Sequence, residues 1–145
     1  MNDNIDTRFL ETLLGYNTRR ATLTIINRFM ERMAAYELRP VDFSVLSLIG
    51  HNPGITSRQL CNALNILPPN LVGFLKAFEK RDLIERKPHP TDGRAVGLFL
   101  TEAGNALMQE AEITANESDL STATALTAAE RKTLTRLLQK IYLQG

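Results

Sequence analysis

At 145 residues with 43% apolar side chains, the chain is long enough for one domain with a real core and too apolar for wholesale disorder. No apolar run approaches the roughly 20 residues of a membrane span. The polar start Met1-Asn2-Asp3-Asn4 lacks the order of a secretion signal, and the single Cys61 excludes an intrachain disulfide framework, so a cytoplasmic protein is expected. The net charge of +1 identifies no partner, but its distribution is uneven: residues 39–100 carry eight basic against five acidic side chains, a net of +3, and residues 101–145 carry four against six, a net of −2. That mildly electropositive middle suits one face meeting a polyanion.

Residues 7–36 read as one long helix. Leu10, Leu13, Leu14 and Asn17, then Ile25, Ile26, Phe29, Met30 and Met33, recur at spacings of three and four. Only Gly15 interrupts it, at a cost of about 1 kcal/mol. Such a helix is long for a lone globular element, so part of its apolar stripe is expected against a second subunit. Pro40 suits the first turn of the next helix, which carries Phe43, Val45, Leu46, Leu48 and Ile49 and stops at Gly50-His51-Asn52-Pro53-Gly54. Thr56 or Ser57 caps a short helix through Leu64 that buries Leu60, Cys61 and Leu64. After the turn Asn65-Ile66-Leu67, Pro68 and Pro69 fit the first positions of a helix running to about Arg81, with Leu71, Phe74, Leu75 and Phe78 inward.

Residues 83–100 then spell a β-hairpin: an extended run, a Pro/Asp/Gly turn with basic residues on both sides, and a second extended run. Thr101 caps a further helix, with Glu102 in its favourable first turn. It should run toward Asn116 and fray or break across the small, polar residues 118–125. Thr127 and Glu130 form a capping-box pattern for the last helix, which aligns Leu134, Leu137, Leu138 and Ile141. The expected fold is mainly α with a small β-hairpin wing.

Two short helices joined by a tight turn, the second followed by a hairpin, is the winged helix-turn-helix order. It places a DNA-binding module at residues 39–100 of a single domain spanning 1–145. Residues 1–38 and 101–145 would be dimerisation helices paired across a two-fold axis. The helix from Pro69 would enter the major groove by its N-terminal end. Its outward residues near that end, Pro68, Pro69, Asn70 and Gly73, with Val72 and Lys76 nearby, are poor in long polar donors. Asn70 would pair with adenine or meet a phosphate, Val72 would touch a thymine methyl, and Gly73 would permit close approach. The competing explanation for Gly73 is avoidance of a clash with a neighbouring helix. Ser57 and Arg58 would meet phosphates, and Lys76, Lys80, Arg86 and Lys87 would add attraction. An ordinary solvated charge is the alternative for each, foremost for Lys80 and Arg81. Asp92-Gly93 is a turn pair, and Arg94 beyond it suits a narrow, electronegative minor groove. Asp92 lies close enough to brace Arg94. His89, between two prolines, would touch phosphate or simply be an exposed turn residue.

Leu83-Ile84-Glu85-Arg86, Thr91-Asp92-Gly93-Arg94-Ala95 and Leu100-Thr101-Glu102-Ala103-Gly104 together carry a resemblance. The chain resembles, over nearly its full length, the multiple antibiotic resistance regulator (MarR) family, whose members read Gly-Leu-Val/Ile-x-Arg, Asp-x-Arg and Leu-Thr-x-x-Gly at these places. The resemblance implies a homodimer with interlocking terminal helices that binds double-stranded palindromic operator DNA. It further implies a repressor that often releases DNA when a small aromatic or phenolic effector binds. The family's wing arginine falls on Arg94 and its paired aspartate on Asp92. Its effector pocket, where the DNA-binding module meets the dimer helices, would involve Tyr16, Arg19, Arg20, Phe43 and His51. Packing and interhelical hydrogen bonding are the alternative for each. There are departures. The frequent Ser/Thr-x-x-Thr opening of the recognition helix is Pro69-x-x-Val72 here, so no operator sequence carries over. The usual glycine before the wing is Asp82. The peroxide-sensing branch keeps its cysteine in the N-terminal helix, so Cys61 reads as a buried core cysteine.

Other classes fare worse. Cys61, His51, His89 and scattered carboxylates make no catalytic motif, and the glycines lack phosphate-loop spacing, so no enzyme is expected. Two histidines and one cysteine without short spacing argue against a metal, and no cofactor is implied. The remaining rivals are a winged helix that binds protein and a DNA-binding regulator without an effector. Clustering of Arg58, Lys76, Arg86, Lys87 and Arg94 on one face would favour DNA.

Overall fold

Each helix of the central region begins where the sequence supplies partners for its first backbone N–H groups, or removes the need for them. The computed structural model describes residues 4–143; Met1–Asp3, part of the stretch judged to lack a secretion signal, lie outside it. Helix α1 spans Leu14–Met33 and α2 spans Pro40–His51. Pro40 starts α2 without an N–H to satisfy. The Arg39 backbone N–H and Nε both donate to Asp42 Oδ2, at 2.9 and 3.0 Å, while the guanidinium lies 5.4 Å from the Phe74 ring centroid. Helix α3, Ser57–Leu64, is capped by Thr56, whose hydroxyl accepts from Gln59 N–H at 3.2 Å while Gln59 Oε1 accepts from Thr56 N–H. Asn65 turns back with φ 53°, and α4, Pro68–Lys80, opens on its two prolines.

Strands β1 (Ile84–Pro88) and β2 (Val96–Leu100) pair antiparallel, from Ile84 opposite Leu100 to Pro88 opposite Val96. Ile55 adds a single bridge to Leu98: Leu98 N–H donates to Ile55 O, and Gly54 N–H donates to Leu98 O, both at 2.9 Å. This approach needs glycine twice. Gly54 has φ +90°, and a Cβ on Gly97 would lie 3.0 Å from Gly54 Cα. Helices α5 (Glu102–Thr122) and α6 (Ala128–Tyr142) follow.

The chain forms two compact units. One is Phe29–Ala115; the other comprises the residues up to Arg28 and those from Asn116 on, with α1 and α5 each divided between them. The first holds the core, with Met33, Leu46, Ile49, Leu60, Leu71, Leu75, Phe78 and Leu98 almost wholly buried. In the second, Ile5, Phe9, Leu14, Leu120, Ile141, Tyr142 and Leu143 are exposed. Among the described residues no helix is long and apolar enough to cross a membrane.

Three local outcomes differ from, or sharpen, the sequence expectations. Residues 7–36 are not one helix. A 3₁₀ turn at Leu10–Thr12 ends at Leu13, which is extended (φ −93°, ψ 132°), and another at Ala34–Tyr36 ends at Glu37 with φ 54°. Asn17 Nδ2 marks the first break: it donates to the carbonyls of both Glu11 and Leu13 at 2.8 Å, standing in for a helical N–H at Glu11, while Leu13 O also accepts from Asn17 N–H at 3.2 Å. Gly15 therefore sits in the first turn of α1, not its interior. Helix α5 continues past Asn116 to Thr122, since the hydroxyls of Ser121 and Thr122 donate back to the Ser118 carbonyl and the polar segment satisfies itself within the helix. At the last helix the expected box forms. Thr127, chiefly through its backbone N–H and then its side chain, holds the Glu130 carboxyl below its ordinary value. That contribution to the cap is complete at neutral pH and is lost as pH falls through the lowered value.

The junction between α4 and the wing explains two motif positions. Asp82 adopts φ 58°, the left-handed conformation that glycine tolerates best. Its carbonyl accepts from Thr101 Oγ1 at 2.6 Å, Thr101 N–H donates to Leu83 O at 3.0 Å, and Thr101 Oγ1 accepts from Gly104 N–H. A Cβ on Gly104 would run into the Leu83 carbonyl, so the Leu-Thr-x-x-Gly spacing fits α5 against the junction between α4 and β1. Among the described residues the Asp82 carboxylate has no partner to lose. Asp82→Gly is therefore expected to raise stability by about 0.5–1 kcal/mol, read as a higher urea midpoint with unchanged slope.

Candidate nucleic-acid interface

Helix α4 buries Leu71, Leu75 and Phe78 and leaves Pro69, Asn70, Val72, Gly73 and Lys76 exposed, as the three-and-four spacing requires. A Cβ on Gly73 would meet no atom within 4 Å, so clash avoidance among the described residues is not its role, and the helix surface there is open. Ser57 and Arg58, exposed in the first turn of α3, face Pro68 and Val72 across a cleft of about 500 Å³. Cys61 lines this cleft and is half-buried, which corrects its reading as a core residue: α3 is two turns long and turns only Leu60 fully inward.

The wing gathers a second set of cations. Arg86, Lys87 and Arg94 line a cleft of about 300 Å³ with Pro88 and Val96. They are not equivalent. Arg86 Nε is 2.7 Å from Glu79 Oε1 on α4, and Lys87 Nζ is 2.9 Å from Glu85 Oε1 and lies over the Phe99 ring at 5.3 Å. These pairs are partly exposed and weakly held, so they subtract from the attraction of both cations without removing it. Among the described residues nothing engages the Arg94 guanidinium. Asp92 does brace Arg94, but through the main chain: Asp92 Oδ1 accepts from Arg94 N–H at 3.1 Å. His89 is half-buried, not an exposed turn residue, because its ring turns inward to accept hydrogen bonds from the turn. Arg81 is structural: its guanidinium donates to the carbonyls of Tyr36 and Glu37 at 2.9 and 3.0 Å and ties down the turn that ends with left-handed Glu37.

The expected effector residues fall in separate units. Tyr16 (half-buried), Arg19 and Arg20 (exposed) lie on the α1 segment of one; Phe43 and His51 lie on α2 in the other. Phe43 packs edge-on against Phe29, with centroids 5.3 Å apart. His51 Nε2 and Ser47 Oγ both reach Glu112 Oε1, at 2.8 and 2.9 Å, and hook α2 to α5. Sequence reasoning missed Glu112, which carries no motif. Among the described residues no group of three or more histidine, cysteine or acidic side chains could hold a metal ion.

The chemistry on offer is an exposed helix N-terminus carrying Pro68, Pro69 and Asn70, with the exposed cations Arg58 on α3 and Lys76 on α4, and a wing ending in an uncommitted arginine. Comparison with known proteins points the same way. The model of the MarR family matches residues 38–96. A regulatory protein ascribed to the hcr operon of Thauera aromatica is 29% identical over 132 residues, 90% of this chain and 80% of the relative. The transcriptional repressor CouR, solved on a 23-mer DNA duplex, shares 34% identity and a TM-score of 0.86, covering 94% of this chain and 97% of that one. BpsR of Bordetella bronchiseptica, solved in work on the regulation of its DNA binding by 6-hydroxynicotinic acid, shares 26% identity and a TM-score of 0.80, covering 89% and 92%.

Proposed function

Since the chain belongs to the MarR family of DNA-binding transcriptional regulators, we propose that it works as a homodimeric repressor of a palindromic operator, released by a small aromatic or phenolic acid. Arg94 carries the DNA part of this reading: it stands at the wing with its guanidinium uncommitted, and the surface of α4 is separately open at Asn70, Val72 and Gly73. In the proposed complex the N-terminal half of α4 sits in the major groove. Ser57, Arg58 and Lys76 meet the backbone, Arg94 enters the minor groove, and Arg86 and Lys87 add attraction tempered by their acidic neighbours. Residues 39–100 form the reading module, and the flanking helices 1–38 and 101–145 pair the two copies. The exposed apolar stripe of α6 supports that pairing. The regulation of BpsR by 6-hydroxynicotinic acid supports the effector class, with Tyr16, Arg19, Arg20, Phe43 and His51 as candidate contacts.

A two-stage binding experiment tests this. Duplexes recovered from a randomised pool should share a palindrome, and affinity should fall by about a thousandfold or more between 50 and 200 mM salt, as six or more phosphate contacts require. No recovered duplex, or salt-insensitive binding, would instead favour a winged helix that binds protein, a reading to which the donor-poor face of α4 lends some weight. Adding 6-hydroxynicotinic acid and related hydroxylated aromatic acids should then weaken operator binding at least tenfold, the scale of ordinary allosteric coupling. No response to any of them leaves a DNA-binding regulator without this class of effector.

A further inference from the structure

We propose that His89 is a positioning residue for DNA binding, its imidazole holding the wing tip in the shape that presents Arg94; this rests on the DNA-binding reading above. The tip, residues 91–94, is exposed at every position and has no buried apolar side chain to anchor it. Polar bonds take that part. The backbone N–H groups of Thr91 and Asp92 both donate to His89 Nδ1, at 3.2 and 3.1 Å, and Thr91 Oγ1 stands 3.3 Å from the same atom. Two N–H donors converging on one ring nitrogen fix the tautomer: Nδ1 carries the lone pair and the ring proton sits on Nε2.

The bonds continue outward from the ring. Asp92 O accepts from Ala95 N–H at 3.1 Å, Asp92 Oδ1 accepts from Arg94 N–H at 3.1 Å, and His89 N–H donates to Ala95 O at 2.9 Å. Imidazole thus fixes the peptide of Asp92, and Asp92 fixes the peptide of Arg94, without occupying the Arg94 guanidinium. The ring is held in turn. Pro88 and Pro90 restrict the backbone on either side of it. The ring lines a cleft of about 470 Å³ with Asn52, Pro53, Gly54 and Gln59. Pro90 Cδ lies where a Cβ on Gly54 would come within 2.8 Å, so the wing base is seated on the loop between α2 and α3. A tip ordered in advance spares the ordering entropy that a loose arginine hairpin loses on binding.

The test uses the full chain and a duplex that the wild-type protein selects from a randomised pool. His89→Ala is expected to weaken binding by about fivefold to tenfold, the scale of ordering one or two side chains per wing. His89→Asn, whose amide oxygen can accept the same N–H groups as in an Asx turn, should return to within about twofold of wild type. In an Arg94→Ala background, His89→Ala should cost nothing more, because it acts only through Arg94. In the free protein, amide exchange at Thr91 and Asp92 should quicken in His89→Ala and not in His89→Asn. Unchanged affinity or exchange in His89→Ala, failure of asparagine to rescue, or additive losses in the double variant would each overturn the proposal. Absence of any duplex selected by the wild type would overturn the DNA-binding reading itself, a failure visible before any variant is made. Should His89→Ala fold poorly, His89→Gln, which places its amide oxygen one bond too far, is expected to behave as the alanine variant; wild-type affinity and exchange in it would overturn the proposal.

Discussion

Replacing Arg94 with alanine is expected to lower operator affinity by on the order of a hundredfold while leaving the fold and the oligomeric state unchanged. A specific arginine contact is worth about 1–3 kcal/mol, and a two-fold dimer loses two of them. Among the described residues the Arg94 guanidinium makes no bond inside the chain and its side chain is exposed, so truncation removes no packing. Arg86→Ala and Lys87→Ala should cost several times less, because Glu79 and Glu85 already share their charge. Fluorescence anisotropy on a selected duplex, beside thermal melts of the free proteins, gives the comparison. Equal losses at the three positions would show that the wing acts as diffuse charge and would remove Arg94 from its assigned role. The salt slope adds a check: removing an arginine from the minor groove should reduce the slope by about one per wing, as removing a cation from a single phosphate does.

What could be read in advance follows from how local each signal is. Pro40, Pro68 and Pro69 open helices, Thr56 with Gln59 and Thr127 with Glu130 close reciprocal caps, and Asp92-Gly93 turns the hairpin, all within four residues. The recurrence of Leu71, Leu75 and Phe78 was enough to orient α4 and so to name its outward residues. The break at Leu13 was not legible. It is marked by one amide, Asn17 Nδ2, reaching two carbonyls, and a periodic apolar pattern is blind to such a bond. The stop of α5 is legible only to within residues 118–125, and it falls at Thr122, since Ser121 and Thr122 count against a helix by propensity until their hydroxyls are seen to bond within it.

At the interface, the sequence could nominate cations but not rank them. Arg86, Lys87 and Arg94 are alike as letters; Glu79 marks out Arg86 only once β1 is placed beside α4, and Glu85 marks out Lys87 only once both are seen on one strand. Arg81 and Glu112 show the converse, charges whose roles lie in contacts made far along the chain, at Tyr36 and Glu37 and at Ser47 and His51. Gly73 went the other way. Both of its explanations stand on paper, and the empty space around it removes one. His89 needed the path of the turn, because its partners are backbone N–H groups whose direction no residue type encodes.

The second large effect is expected from Ile141→Glu, which should convert the dimer to a monomer at micromolar concentration and abolish high-affinity operator binding. Leu134, Leu137, Leu138 and Ile141 follow one another at three, one and three residues, a single stripe along α6, and all four are exposed in one chain, Ile141 at 58%. A stripe of that kind loses about 25 cal/mol for every Å² left in water, and a two-fold contact would cover it twice. A glutamate at its C-terminal end would enter the contact twice without a partner, and each buried unpaired carboxylate costs several kcal/mol. The helix itself should persist, because glutamate is a good helix former and Ile141 contributes nothing to the core of residues 29–115. Operator affinity should then fall by about a hundredfold to ten-thousandfold, since each module must bind its half-site without the effective concentration that the dimer provides. Sedimentation velocity and circular dichroism separate dissociation from unfolding, and binding to an isolated half-site should be nearly unchanged. A variant that stays dimeric would move the subunit contact away from α6, toward the exposed Phe9 and Leu14 at the other end of the chain. A variant that is monomeric yet still binds the full palindrome tightly would break the link between pairing and recognition on which the repressor reading depends.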